Sequence, residues 1–499
     1  MPKEKPNVIV IGAGIAGLAS ALRLKKQGFE VDIYEQNNYT GGKIHVYSKN
    51  NYRFDLGPSL LTLPHLITDL FKLYNKNPED YFTYNKRDES CRYFWEDGSH
   101  FIAPAQPAEF IDKAADFFKE DAKKISRYLE NTQEKYRLTA DLFLHSSLHQ
   151  PKNFINKKAL KAVRNISKLD LSKTLHQHNQ SAFQNPKLIQ FFDRYATYNG
   201  SSPYKTPGIM SMIPYLEMYK GTYLPDKGMH DISQSLTRLA QEVGIKIHLK
   251  QSVEEIVFED EIAKGIEVNS ELKLADVVIS NMDVYTAYQS ILKKAKKPKL
   301  SFKQQSSSSA LIFYWGINKE FKDLNLHNIL FSDNYKEEFN SIFNENTFHK
   351  DPTVYINITS KAISSDAPPG CENWFVMINA PTNDGQDWSA EIKEIRQKII
   401  SKINRILKVD LEQYIKLEHY LTPADIEKET SSHKGSLYGM ASHGKFSSFL
   451  RHANFSSQIK NLYFCGGSVH PGGGIPLCLL SAKIVSDLIE EKHGLAFKN

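Results

Sequence analysis

Cysteine is scarce in this chain: four residues in 499, at 91, 371, 465 and 478, with no Cys-x-x-Cys pair. That excludes a disulfide framework and a thiolate zinc site, and it predicts buried, reduced thiols in a cytosolic protein. No apolar run approaches the roughly 20 residues needed to span a bilayer. The net charge is only +6, and no basic helix carries nucleic-acid patterning. No convincing Ser-His-Asp set or carboxylate pair is present, and no metal-ligand spacing. Lys3 and Lys5 precede the first apolar run. Three glycines inside that run, basic residues after it and the lack of a cleavage pattern exclude a secretory signal.

What is present begins at residue 8. An apolar run, Val8 to Ile11, turns into Gly12-x-Gly14-x-x-Gly17 and then into a helical pattern from Leu18 to Leu24. Gly12 permits the tight turn, Gly14 lets backbone approach a pyrophosphate, and Gly17 lets helix pack on strand. The first turn of that helix offers free N–H groups to anionic oxygens. A second strand, Glu30 to Glu35, ends on an acid eighteen residues after Gly17. A carboxylate there suits ribose hydroxyls and disfavours a 2′-phosphate. The chain is expected to hold a dinucleotide; the alternative is a plain glycine-rich βα turn.

Further along, Gly42 and Gly57 read as backbone-approach positions, and Gly57-Pro58 as a turn. Residues 107–200 are expected to be mostly helical, with helices over Ala114–Tyr128 and Asn131–Phe143. The stretch 152–173 is rich in Lys and Arg, including Lys157, Lys158, Lys161 and Arg164, with apolar residues recurring at threes. It reads as a basic amphipathic segment for an anionic membrane surface, or as a solvated face. Ile232–Val243 reads as a helix. Lys246–Leu249, Glu254–Phe258 and Ala275–Ser280 read as strands returning to the nucleotide unit. Leu311–Ile317 and Thr353–Ile358 read as a second sheet, and Ser389–Leu407 as a helix. Near the end, a strand at Asn461 runs into a second glycine-rich turn, His470-Pro-Gly-Gly-Gly-Ile475-Pro476, followed by a helix from Cys478 to Glu491. Its helix dipole suits a second charged or polarised part of the ligand. Loops at both ends of the chain suit one long cofactor, and FAD is the natural candidate.

Together, the front motif, Gly41-Gly-Lys43, Asp55-Leu-Gly57-Pro58-Ser59 and Gly466-Gly-Ser-Val-His470-Pro-Gly-Gly-Gly474-Ile-Pro476 resemble the FAD-dependent carotenoid desaturase family, within the amine-oxidase-like flavoproteins. The segments Phe192-Asp-Arg194-Tyr-Ala-Thr-Tyr-Asn199-Gly and Lys227-Gly-Met-His230 are most similar to bacterial hydroxycarotenoid 3,4-desaturases. The resemblance implies an α/β fold. A Rossmann-like FAD-binding domain is expected in pieces 1–106, 225–285 and 456–499. A helical membrane-facing part is expected at 107–224 and a substrate domain with a second sheet at 286–455. It implies Glu35, with Gln36 beside it, at the adenosine ribose, and Gly12, Gly14, Ile15, Ala16 and Gly17 at the pyrophosphate. Gly42, Lys43, Gly57, Pro58, Ser59 and Leu60 flank the flavin side. Val253 contacts adenine through its backbone, and Met282 lines the cofactor. Gly467, Gly474, Ile475 and Pro476 border the isoalloxazine. Lys43 stands where the wider superfamily has arginine, which removes any bidentate contact.

The implied reaction takes two hydrogens from adjacent carbons beside a polyene, with a hydride going to the flavin. Catalytic side chains are unassigned: Glu217 and His230 are proton-acceptor candidates and equally structural ones, and Arg194 is expected in a structural ion pair. Phe191, Phe192, Tyr195, Tyr198, Met210, Met212, Tyr215 and Met218 supply channel lining or core. The lipophilic carotenoid substrate implies peripheral attachment at the inner face of the cell membrane. The oxidant, oxygen or a quinone, is left open. The alternatives are a phytoene-type desaturase, a carotenoid terminal-methyl oxygenase, an amine oxidase, and a non-enzymatic prenyl-binding protein of the same fold.

Overall fold

The computed structural model describes residues 5–150, 152, 165–298, 304–445 and 447–497. The opening run forms the strand Asn7–Ile11, whose four residues from Val8 are almost entirely buried. It lies at the centre of a five-stranded parallel sheet. Val277–Ser280 and then Leu462–Phe464 lie on one side of it, and Glu30–Glu35 and then Lys246–Leu249 on the other. Burial on both faces explains the unbroken apolar runs. Helices Ile15–Lys26, Asp231–Glu242 and Ile475–Phe497 cover one face through Leu18, Leu22, Leu236, Leu239, Leu479 and Val485. The other face packs on a three-stranded antiparallel sheet, Val253–Glu259, Ile262–Val268 and Glu271–Leu274.

A seven-stranded sheet forms the second unit. Its order is Ile415–Leu421, Ser309–Ile317, Glu372–Ala380, Val354–Ile358, His327–Leu330, Glu89–Phe94 and His100–Pro104. The segment 1–106 therefore supplies strands to both sheets. Along Ser309–Ile317 the two-residue period divides the strand. Leu311, Phe313, Trp315 and Ile317 face helix Trp388–Leu407. Ala310, Ile312 and Tyr314 face Tyr52, Phe54, Tyr355 and Met377.

The helical part differs from expectation in its breaks. Helices run Pro107–Phe118 and Ala122–Thr139, not Ala114–Tyr128 and Asn131–Phe143. Lys119 takes a left-handed φ of 55°, and Asp121 caps the next helix by accepting from the Lys123 N–H at 2.8 Å. The last helix starts at Ile475 rather than Cys478, because Pro476 is tolerated in a first turn that needs no N–H. The core of the basic segment, residues 153–164 of 152–173, lies outside the described residues. Among those described, no helix is long and apolar enough to cross a membrane, no metal-ligating cluster occurs and all four thiols are free.

Candidate cofactor and substrate site

The front turn is closed mainly by backbone. The Gly12 N–H donates to the Tyr34 carbonyl at 2.8 Å, with φ at +96°. A Cβ on Gly17 would lie 2.1 Å from the Gly12 oxygen. Gly14 offers no capping side chain to the helix that starts at Ile15, so the Ile15 and Ala16 N–H groups remain available to an anion, while the Gly17 N–H is held by Asn281. Glu35 ends its strand beside them. Its carboxylate accepts from the Ala13 N–H at 2.7 Å and the Asn37 N–H at 2.9 Å, and burial raises its pKa above the ordinary carboxylate range. The Gly41 N–H donates to the Ala13 carbonyl at 2.8 Å, so the Gly41-Gly42 step lies against the front turn.

Gly57 allows a third close approach: a Cβ there would lie 2.0 Å from the Lys43 carbonyl. Lys43 Nζ donates to the carbonyls of Leu437 (2.9 Å) and Ser436 (3.1 Å), and burial lowers its pKa. The Asp55 that opens the motif does another task. It accepts from the N–H groups of Met229 (2.8 Å) and His230 (3.0 Å), and Arg53 pairs with it at 2.7 Å. The two sequence segments are thus locked together. His230 lies edge-on to His45 at 5.4 Å, and burial pushes it down to about 4.

The second glycine turn is closed by distant side chains. Asn281 follows the Val277–Ser280 strand. Its N–H donates to the Ile11 carbonyl at 2.8 Å, its amide donates to the Cys465 carbonyl at 3.2 Å, and its Oδ1 accepts from the Gly17 N–H at 3.0 Å. It therefore joins the two turns. Arg451, 4% exposed, donates to the carbonyls of Met440 (2.9 Å), Tyr438 (3.2 Å) and Gly467 (3.4 Å); burial lowers its pKa to about 10. Asn454 donates to the His470 carbonyl at 2.7 Å and to Ser481 Oγ at 3.1 Å. Gly467, Gly474, Pro476 and Cys478 keep accessible surface in this setting.

The residues named from sequence fall into groups. Gly12, Gly14, Ile15, Ala16, Gly17, Glu35 and Gly42 share one cradle, as the contacts above show. Lys43 and Gly467 are linked through the strap Ser436–Met440. Val253 and Met282 pack on one apolar cluster with Ile11 and Tyr34. Gly57, Pro58, Ser59 and Leu60 keep accessible surface, and Ser59 Oγ lies 2.7 Å from the Tyr355 hydroxyl. Gln36 is exposed, and its side chain donates to Ser431 Oγ at 3.1 Å. Asn281, Arg451 and Tyr438 were not singled out from sequence. Only Asn281 had a local signal, its place directly after a strand.

On the substrate side, Arg194 lies 3.3 Å from both oxygens of Glu217, and the Tyr198 hydroxyl donates to the same carboxylate. The guanidinium sits 4.4 Å from the Tyr195 ring centroid and is nearly fully buried. Phe191, Phe192 and Tyr195 have no accessible surface and are core, while Met210, Tyr215 and Met218 are buried and Tyr198 and Met212 are half-buried. Tyr198, Tyr355 and Tyr438 lie deep, where burial pushes each phenol up, yet each keeps accessible surface.

The glycine cradle, the helix start and the Glu35 carboxylate beside it fit a dinucleotide, and the second turn keeps accessible surface at Gly467, Gly474 and Pro476 for its far end. The profile of the flavin containing amine oxidoreductase family matches residues 15–489. A 1-hydroxycarotenoid 3,4-desaturase from a Flavobacterium species is 55% identical over 97% of this chain and 99% of its own. A 4,4'-diapolycopene oxygenase from a Methylomonas species is 32% identical over 97% and 98%. Among solved structures, the cyclohexylamine oxidase from Brevibacterium oxydans superposes with a TM-score of 0.63 at 14% identity. That match covers 98% of this chain and 100% of the other, a likeness of fold.

Proposed function

The chain belongs to the flavin containing amine oxidoreductase family and is an FAD-dependent oxidoreductase, and from that premise we propose that it desaturates the C3–C4 bond of a 1-hydroxylated carotenoid end group. The observation that carries this reading is the end-to-end likeness to a 1-hydroxycarotenoid 3,4-desaturase. In this reading Glu35 receives the adenosine ribose, and the N–H groups of Ile15 and Ala16 receive the pyrophosphate, with Gly17 close beside it. Lys43, Gly57 to Leu60, Gly467 and Gly474 to Pro476 flank the flavin end. Bound FAD supplies the hydride acceptor. The half-buried rings of Tyr198, Tyr355 and Tyr438 orient the polyene and exclude water. Glu217 is held by Arg194 and Tyr198, so its carboxylate is a positioning group and not a free base. The proton lost after hydride removal leaves from an allylic cation acidic enough to need no dedicated strong base.

A lipid-borne substrate places the enzyme at the inner face of the cell membrane, as a peripheral protein. Pelleting with anionic liposomes tests this; a protein left wholly in the supernatant contradicts it. The function itself is tested by expression in cells that accumulate a 1-hydroxylated carotenoid. Loss of two hydrogens, with absorption moved to longer wavelength, is the expected product. A gain of oxygen instead supports terminal-methyl oxygenation, the reaction class of the Methylomonas relative's name.

A further inference from the structure

We propose that Arg451 sets the reduction potential of the bound flavin by holding a buried positive charge behind the second glycine turn; the proposal rests on the reading above that places the flavin ring at that turn.

A charge taken out of water is costly unless it is paired, and most of the interior follows that rule. Among the described residues four Lys or Arg side chains are buried: Lys135, Arg194, Lys402 and Arg451. Lys135 pairs with Asp170 at 2.8 Å, Arg194 with Glu217 at 3.3 Å and Lys402 with Asp351 at 2.9 Å. Arg451 is held instead by the carbonyl oxygens of Tyr438, Met440 and Gly467, and no described carboxylate pairs with it. Carbonyl dipoles lend partial charge and leave the guanidinium cationic. The ionisable groups around it do not neutralise it either. Burial keeps the Tyr285 phenol and the Cys478 thiol protonated, the thiol pushed up to about 11, and it pushes His470 down to about 4. All three are therefore neutral near pH 7.

The charge lies against the turn itself. Arg451 reaches the Gly467 carbonyl at 3.4 Å, and a Cβ on Gly472 would lie 3.2 Å from its Cζ and Nε. The turn folds back on itself, since a Cβ on Gly467 would lie 3.2 Å from the Gly473 Cα. The cation thus backs both arms of a loop whose Gly467, Gly474 and Pro476 keep accessible surface. When the substrate C–H bond breaks, one proton and two electrons pass to the ring, which gains one negative charge. In a low-dielectric interior a fixed cation nearby favours that charged form. The flavin in turn supplies the anion that the fold does not.

The test uses full-length, FAD-loaded protein and reads the flavin rather than turnover. In Arg451→Met the equilibrium for two-electron reduction falls about tenfold or more, a potential lower by about 30 mV or more against a reference dye. Sulfite, which adds to the ring and leaves it negatively charged, binds about tenfold more weakly. Arg451→Lys keeps the charge, and both values stay near wild type. If Arg451→Met does not hold FAD, Arg451→Gln carries the comparison. The wild type alone gives a second reading: between pH 5.5 and 7 its potential falls by about 30 mV per pH unit, one proton per electron pair, each unit being tenfold in proton concentration. A potential unchanged in the neutral variants, one lowered equally in Arg451→Lys, or a wild-type slope of about 60 mV per unit overturns the role of Arg451 and leaves the flavin site intact. A wild-type protein whose bound flavin keeps the fluorescence of free flavin overturns the placement of the ring at this turn, and the proposal with it.

Discussion

The two glycine-rich turns have similar outlines and are held in different ways. Each follows a parallel strand and leads into a helix packed on the same core. The front turn is held mainly by nearby backbone, with Gly17 against Gly12 and Gly41 against Ala13, and by one side-chain bond each from Glu35 and Asn281. The rear turn is held by side chains from elsewhere: Asn281, Arg451, Asn454 and Ser481. A turn held by backbone is encoded in local spacing. A turn held by distant side chains can be retuned by changing residues outside it.

The strongest way to break the comparison is Gly17→Val. The Cβ would overlap the Gly12 oxygen, a clash no rotamer relieves. The expected result is loss of flavin uptake, read as FAD per chain after desalting, with a destabilisation of about 4 kcal/mol or more. Next is Arg451→Met, which removes a buried cation from three carbonyls. A loss of about 3 kcal/mol is expected from charge-assisted hydrogen bonds of this kind, seen as a lower Tm. Arg451→Lys should recover part of it, and a variant as stable as wild type would refute the assignment.

Acid should separate the two turns. His452 and His470 flank the rear turn, and burial pushes each from the ordinary 6.5 down to about 4. As pH falls through this range the unfolded chain takes up protons that the folded turn refuses. Stability present above pH 6.5 is therefore lost, at about 2 kcal/mol per histidine by pH 5. At the front turn Glu35 is shifted the opposite way, so acidification favours its folded form. Amide exchange at pH 7 and pH 5 should show protection falling around Cys465–Ser468 and not around Gly12–Gly17. The smallest effect is expected from Ser59→Ala, which loses one hydrogen bond to Tyr355. About 1 kcal/mol should disappear in denaturant unfolding, with the front turn unaffected.

The same contrast explains what was legible in the sequence. Glu30–Glu35 and Lys246–Leu249 match the expected strands because their patterns are local. The front cradle was readable for the same reason. Asn281 contacts Gly17 across 264 positions, and Tyr438 meets Gly200 and Gly473 only after the chain has folded. No spacing rule reaches that far. The helix break at Lys119 was missed because it depends on a left-handed residue and an aspartate cap, not on a change of periodicity. The strands Glu89–Phe94 and His100–Pro104 pair with a sheet whose other members lie more than two hundred residues later, so their place in the second unit has no local sign.

The central claim is that both turns grip one extended flavin dinucleotide. Its most direct test is a titration of apoprotein with FAD, followed by flavin fluorescence, with ADP and FMN as competitors. One FAD per chain, displaced by ADP and poorly displaced by FMN, is the predicted result. Tight binding of FMN unaffected by ADP, or no uptake of either flavin, would contradict it.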